Sequence, residues 1–299
     1  EKIINIIPID LKYAIASGIG FFITFVGLKN GGIIVGNPDT FVSIGDLTSP
    51  MTLLAVLGIV LTIVMLVKGI NGGIFYAMVI TTIVGMIFGQ IEIPSSIVGS
   101  IPSLEPTFGV VFGHLDEIFT PEILTVIFTF LIVAFFDTAG ALIGLTSQAG
   151  MMKDNKIPNI GKGLLADSAA GVIGAILGTS TPATSVESSA GIAVGGKTGF
   201  TSVVIAACFV VALFFSPLVS VISVEVTSAA LIIVGALMAM EIRRINWTKL
   251  EIVIPSFLTI IMMPLTSSVV IGIGLGFVLY PICLVAQKRA KEVHPIMYV

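Results

Sequence analysis

Apolar residues run along this chain in long blocks broken by short polar stretches. A membrane-spanning helix needs about 20 apolar residues, and 18 or more is the working threshold. Ten blocks qualify as spans or partial spans: 11–28, 51–67, 72–91, 123–145, 163–177, 184–194, 201–222, 226–240, 252–264 and 267–286. The block at 184–194 is long enough only for a half-helix, and the block at 252–264 is short for a crossing. The pattern predicts an all-α integral membrane protein, a polytopic helical bundle with discontinuous helices.

Composition points the same way. The chain has 299 residues, 56% hydrophobic and 10% charged, with mean hydropathy +1.14, whereas soluble domains carry about 25% charged residues. The net charge of −3 is small and says nothing about partners; no nucleic-acid partner is expected. Cys208 and Cys283 both lie in apolar runs and read as small buried hydrophobes, not as a disulfide or metal pair. His114 has no Cys, Asp or His at ligand spacing, so no metal site is expected. No Ser/His/Asp set or His-x-x-x-His pattern falls within the apolar blocks, which argues against an enzyme. Gly272-Ile-Gly-Leu-Gly276 lies inside an apolar helix without a preceding strand and is no nucleotide loop.

Lysine and arginine set the orientation. Lys2 and Lys12, Lys68, Lys153, Lys156 and Lys162, Lys197, Arg243, Arg244 and Lys249, and Lys288, Arg289 and Lys291 fall on one side if the N-terminus is inside; Lys29 alone falls outside. The connection 92–122 has five acidic residues and no Lys or Arg, so it is expected outside, with a short interfacial helix at most. Trp247, beside Arg243 and Arg244, reads as an interfacial anchor. Gly140 and Gly144, and Gly174 and Gly178, have the spacing of close helix approach.

Two places carry chemistry. Asp137 lies in Phe130-Leu-Ile-Val-Ala-Phe-Phe-Asp-Thr-Ala-Gly140, with the nearest charges about 15 residues away on either side, roughly 20 Å along a helix. A charge at that depth costs on the order of 2.5–3.5 kcal/mol and marks a substrate or proton path, or else a protonated Asp bonded to a neighbouring helix. The second is Gly178-Thr-Ser-Thr-Pro-Ala-Thr-Ser-Val-Glu-Ser-Ser-Ala-Gly191, rich in hydroxyls and carrying Glu187. A break there must turn its freed polar groups to protein or water. Thr184-Ser-Val-Glu187 also fits a capping box, Thr184 as N-cap and Glu187 at N3, so Glu187 is either a cap or a ligand for a polar group at a half-helix N-terminus. Asp167 lies close to Lys162 and is expected to pair with it. Glu225 and Glu241 are expected at interfacial helix ends.

Phe135-Phe-Asp-Thr-Ala-Gly140, the Gly178–Gly191 stretch and Gly195-Gly-Lys-Thr-Gly199 resemble the purine permeases of the nucleobase–cation symporter-2 superfamily, in its adenine/guanine/hypoxanthine branch. The resemblance covers essentially the whole chain. It implies 14 segments in two inverted repeats of seven, split into core and gate, with this chain starting at the fifth segment and the first four absent. On that template 1–91 is gate, 92–122 an external loop, 123–222 core including the broken helix 178–195, and 223–299 gate with a cytoplasmic tail. It further implies a secondary transporter in the inner (plasma) membrane that imports purine bases by proton symport. Asp137 and Glu187, with Thr184 and Ser185, would form the base site, and Asp137 or Glu187 would carry the coupling proton. No cofactor is implied beyond a proton or sodium gradient. The partners implied are a purine base and membrane lipid, and a homodimer is left open. Related uracil carriers place a His where this chain has Ala141, and many purine relatives place an aromatic where it has Ser185. Two carboxylates suit the N–H-rich edges of a purine. The rival is a sulfate- or bicarbonate-type anion transporter of the same general fold, against which Glu187 argues.

Overall fold

The blocks become helices whose ends are set by proline, glycine and short polar residues. The structure, a computed structural model, describes residues 7–70, 72–94, 96–101, 103–113, 119–152, 156–179, 182, 184–185 and 187–290. Lys2, His114, Lys153 and Lys291, which enter the sequence expectations, lie outside the described residues, as do Ser180, Thr181, Ala183 and Val186 in the break. Along the chain run α1 (Ile9–Asn30), β1 (Ile34–Asn37), β2 (Phe41–Ile44), α2 (Pro50–Val67), α3 (Gly73–Ile87), a 3₁₀ turn (Val110–Gly113), α4 (Pro121–Gln148), α5 (Ile160–Leu177), α6 (Ser188–Ala193), α7 (Gly199–Phe214), α8 (Ser216–Val219), α9 (Val224–Ala239) with a 3₁₀ extension (Met240–Arg244), α10 (Leu250–Thr266) and α11 (Val269–Ala286). Pro50 and Pro121 open α2 and α4, at the position where a helix has no use for the missing N–H. Ser268 caps α11 by accepting the Ile271 N–H at 3.3 Å.

Among the described residues five helices are long and apolar enough to cross a membrane: Ile9–Asn30, Pro50–Val67, Ile160–Leu177, Val224–Arg244 and Val269–Ala286. Gly73–Ile87, Gly199–Phe214 and Leu250–Thr266 are shorter apolar helices. The 28 residues of α4 extend about 42 Å. The fold is all-α, polytopic and membrane-embedded.

Several elements differ from the sequence expectation. The block 201–222 is not one helix: it breaks into α7 and α8 at Ser216-Pro217, where proline cannot donate. The half-helix expected over 184–194 shortens to the six residues of α6. The short block 252–264 lengthens to the 17 residues of α10 in spite of Pro255 and Pro264 inside it. Between α1 and α2 lies an unforeseen antiparallel hairpin with Ile34 opposite Ile44 and Asn37 opposite Phe41. Its turn is an Asx turn, in which Asn37 Oδ1 accepts the N–H groups of Asp39 at 2.8 Å and Thr40 at 3.1 Å. Phe41 follows at φ +63°, a conformation bulky residues rarely adopt. Cys208 is exposed on α7, not buried, because α7 buries none of its residues within the protein. Lys12, which the sequence places at the start of the first helix, is fully buried.

The chain packs as two compact units. The first comprises Glu1–Phe21, Pro102–Ser188 and Met238–Val299; the second comprises Phe22–Ile101 and Ser189–Leu237. In the first unit α10 and α11 meet through glycine. A Cβ on Gly272 would overlap Met263 and come 2.8 Å from the Thr259 carbonyl oxygen, and one on Gly276 would overlap the Thr259 hydroxyl. Gly140 and Gly144 are likewise a packing face: Gly140 meets Ile19, Val269 and Ile273, and Gly144 meets Ala16 and Met238. In the second unit α2 lies on α3, with Leu54, Ile91 and Val226 buried together and Gly58 against Thr81 and Ala229. Thr62, Thr81 and Thr82 donate to carbonyls one turn back at 2.7, 2.7 and 2.8 Å, which pairs their hydroxyls in an apolar setting.

Candidate functional site

The site begins where α5 stops. Gly178 turns the chain out of the helix at φ +75°, the left-handed conformation that glycine adopts without penalty. The last carbonyls of a helix lack partners in the helix. Here two are taken up by the preceding connection: Gly109 N–H donates to Ile176 O at 2.8 Å and Thr107 Oγ1 to Leu177 O at 3.0 Å. Gly174 lies against Pro182, whose ring would be 2.8 Å from a Cβ there. The second GxxxG pair is therefore a device of the helix end, in contrast to the helix–helix face made by Gly140 and Gly144.

Asp167, on α5, organises the break. Its Oδ2 accepts the hydroxyl of Thr138 on α4 at 2.8 Å, and its Oδ1 accepts the hydroxyl of Thr184 in the break, also at 2.8 Å. Hydrogen bonds to an ionised acceptor are the stronger kind. One carboxylate thus joins α4, α5 and the break. Thr138 is the residue after Asp137, and Thr184 is three residues before Glu187. The two segments expected to form the site are brought onto one anchor, and the anchor is a residue that its sequence context does not single out. Asp167 does not form the expected ion pair with Lys162; among the described residues the ion pairs are Glu241–Arg244 and Glu251–Arg289.

The capping box does not form. Helix α6 starts at Ser188, so Thr184 lies well before it and Glu187 immediately before it. Thr184 spends its hydroxyl on Asp167, and the backbone contact at the helix start is Ser188 N–H to Ser185 O at 3.3 Å. Glu187 is exposed, and its Oε2 accepts the Ser185 hydroxyl. The six residues of α6 are too few for a strong dipole, so polar side chains carry the site. Asp137 is exposed on α4, beside the buried Thr138, Ala139 and Gly140. Among the described residues no three His, Cys, Asp or Glu side chains gather to hold a metal ion.

Carboxylates and hydroxyls lie at an interruption between apolar helices, where glycine turns the backbone, an arrangement of the kind that secondary transporters use for their substrate sites. The chain belongs to the xanthine/uracil permeases: the family model described as "Permease family" matches residues 1–275. It is similar to the guanine/hypoxanthine permease PbuG of Bacillus subtilis, 53% identical over 298 residues, covering 100% of this chain and 68% of the relative. It is similar to a second B. subtilis guanine/hypoxanthine permease, PbuO, 41% identical over 303 residues, covering 100% and 70%. The adenine permease AdeQ of Escherichia coli is 41% identical over 294 residues, covering 97% and 65%.

Proposed function

We propose that this protein carries purine nucleobases across the membrane as a secondary transporter coupled to protons. Asp137 and Glu187 accept the N–H edges of the base, with Ser185 beside Glu187 and Thr184 at the foot of the break. Support for the substrate class comes from the relatives named as guanine/hypoxanthine and adenine permeases. The observation that carries the site is the Asp167 anchor, which ties Thr138, next to Asp137, to Thr184, close to Glu187. Purine bases are flat, nearly neutral and rich in N–H donors, which suits a site of acceptors. An anion substrate fits poorly, because Asp137, Asp167 and Glu187 would repel it and none of the three is ion-paired among the described residues. In this reading Asp137 or Glu187 serves as the proton carrier, and the proton gradient drives accumulation of the base.

The test is uptake of labelled guanine, hypoxanthine, adenine, uracil and sulfate by the full-length protein, since this chain spans between 65% and 70% of the length of these relatives. Purines are expected to be taken up and sulfate not. Asp137→Asn and Glu187→Gln each replace an acceptor oxygen by a donor, and losing a hydrogen bond to a charged acceptor costs roughly 1.5–3 kcal/mol, about 10- to 150-fold in affinity. The variant at the proton carrier is expected to exchange labelled for unlabelled base yet lose pH-driven accumulation. Normal accumulation in both variants, at normal membrane levels, overturns the site.

A further inference from the structure

Glu241, expected at an interfacial helix end, is 5% exposed at the start of the 3₁₀ extension of α9. A carboxylate so enclosed needs partners. Ser147 Oγ, in the last turn of α4, donates to Glu241 Oε2 at 2.5 Å. Arg244 Nη1 lies 3.3 Å from the same oxygen, and its guanidinium stands 5.6 Å from the centre of the Tyr13 ring on α1. Two residues further on, the Asn246 N–H donates to Asp10 Oδ1 at 2.8 Å. Segment 240–246 is thereby fastened to the start of α1 and to the end of α4.

The two fastenings differ in kind from the packing along α4. Ser147 continues the face of α4 that carries Gly140 and Gly144, since positions i, i+4 and i+7 line one side of a helix. At both glycines the neighbours are carbon atoms of Ala16, Ile19, Met238, Val269 and Ile273. Such contacts are non-directional. The Ser147–Glu241 hydrogen bond is directional, and it lies ten residues beyond Asp137 on the same helix, roughly 15 Å along it. By the lysine and arginine distribution it stands at the cytoplasmic end.

We propose that Ser147 and Glu241 are positioning residues for transport. They form a latch that fixes the cytoplasmic end of α4, and through α4 the position of Asp137, and the latch opens when α4 moves in the transport cycle. Arg244 holds the Glu241 carboxylate in place for Ser147 and is itself steadied by Tyr13. The proposal rests on the reading of α4 as the helix that presents Asp137 to the base.

The test uses full-length protein with its native cysteines replaced, reconstituted in lipid vesicles. In a Ser147→Cys/Glu241→Cys pair, a short bifunctional thiol reagent that a reductant can cleave is expected to abolish purine exchange, and the reductant to restore it. A linked protein that exchanges base at the unlinked rate overturns the latch. A second measurement needs no substrate and survives poor folding of the double variant. A cysteine at Ala149, 7% exposed, reports opening through its alkylation rate. Ser147→Ala is expected to raise that rate by about 10-fold or more, the scale of one lost hydrogen bond to a charged acceptor. Thr146→Ala is the control, because its hydroxyl donates to Leu142 O within α4 at 2.5 Å, and it is expected to leave the rate unchanged. Equal rates in the Ser147→Ala variant and the parent, or equal rises in both alanine variants, overturn the proposal. Failure of the transport reading has a different signature: the parent protein takes up no purine, while the alkylation result stands by itself.

Discussion

Asp137 and Glu187 stand out in the sequence because a carboxylate in an apolar run is costly. Asp167 does not, because its nearest charge in the sequence, Lys162, offers it an ordinary structural role. Only the fold places its two oxygens on hydroxyls 29 residues before and 17 residues after it. The same bonds explain why the capping-box reading fails: Thr184 is committed to Asp167, so the pattern Thr184-Ser-Val-Glu187 is present and unused. Asp167→Asn leaves one acceptor oxygen for two hydroxyl donors. It is expected to lower purine uptake by at least 10-fold, within the roughly 1.5–3 kcal/mol range of a lost bond to a charged group. Thr138→Val and Thr184→Val each remove one of the two bonds, and each is expected to cost less than Asp167→Asn. Initial uptake rates at matched membrane levels check the order. Equal activity of Asp167→Asn and the parent would reduce Asp167 to a bystander.

At the scale of elements, the apolar blocks locate the helices well, since their length and composition follow from the bilayer. Their interruptions are harder to place. A proline breaks the block at Ser216-Pro217 yet is carried twice inside α10, because in membrane proteins neighbouring helices can satisfy the freed backbone groups. The hairpin at 34–44 escapes the hydrophobic pattern because its strands have four residues each and its turn works through a side chain, Asn37, instead of glycine. Glycine spacing is legible as close approach, and the neighbours decide what each glycine is worth. A methyl group at Gly272 meets the Thr259 backbone as well as Met263. Gly272→Ala is therefore expected to force α10 and α11 apart and to destabilise by about 1–3 kcal/mol. At Gly144 the tight contact is the terminal methyl of Met238, with the next atom 3.7 Å away. A flexible tip can swing aside, so Gly144→Ala is expected to cost less than about 1 kcal/mol. Thermal unfolding of both variants in the same detergent checks the ranking, and a Gly144→Ala protein less stable than Gly272→Ala would show that the α10–α11 contact is slack.

For the whole molecule, the lysine and arginine distribution predicts an external connection 92–122 and a cytoplasmic connection after α4. The structure adds a physical motive within the first unit. Helix α5 carries Lys162 in its first turn, and its other end is held by Thr107 and Gly109 of the 92–122 connection. Its 18 residues extend about 27 Å, close to the thickness of the hydrocarbon layer. Lys162 and Thr107 therefore stand about one membrane apart, and α4 must cover the same distance to join the two connections. A cysteine at Glu105 is expected to react with a membrane-impermeant thiol reagent added to intact cells. A cysteine at Lys156, between α4 and α5, is expected to react only once the membrane is opened. Both positions are exposed in the structure, so a failure to react would report the membrane and not burial. Reaction of both from the same side would mean that α4 does not cross. Asp137 would then lose its place within the bilayer, and with it the reason for reading it as part of a transport path.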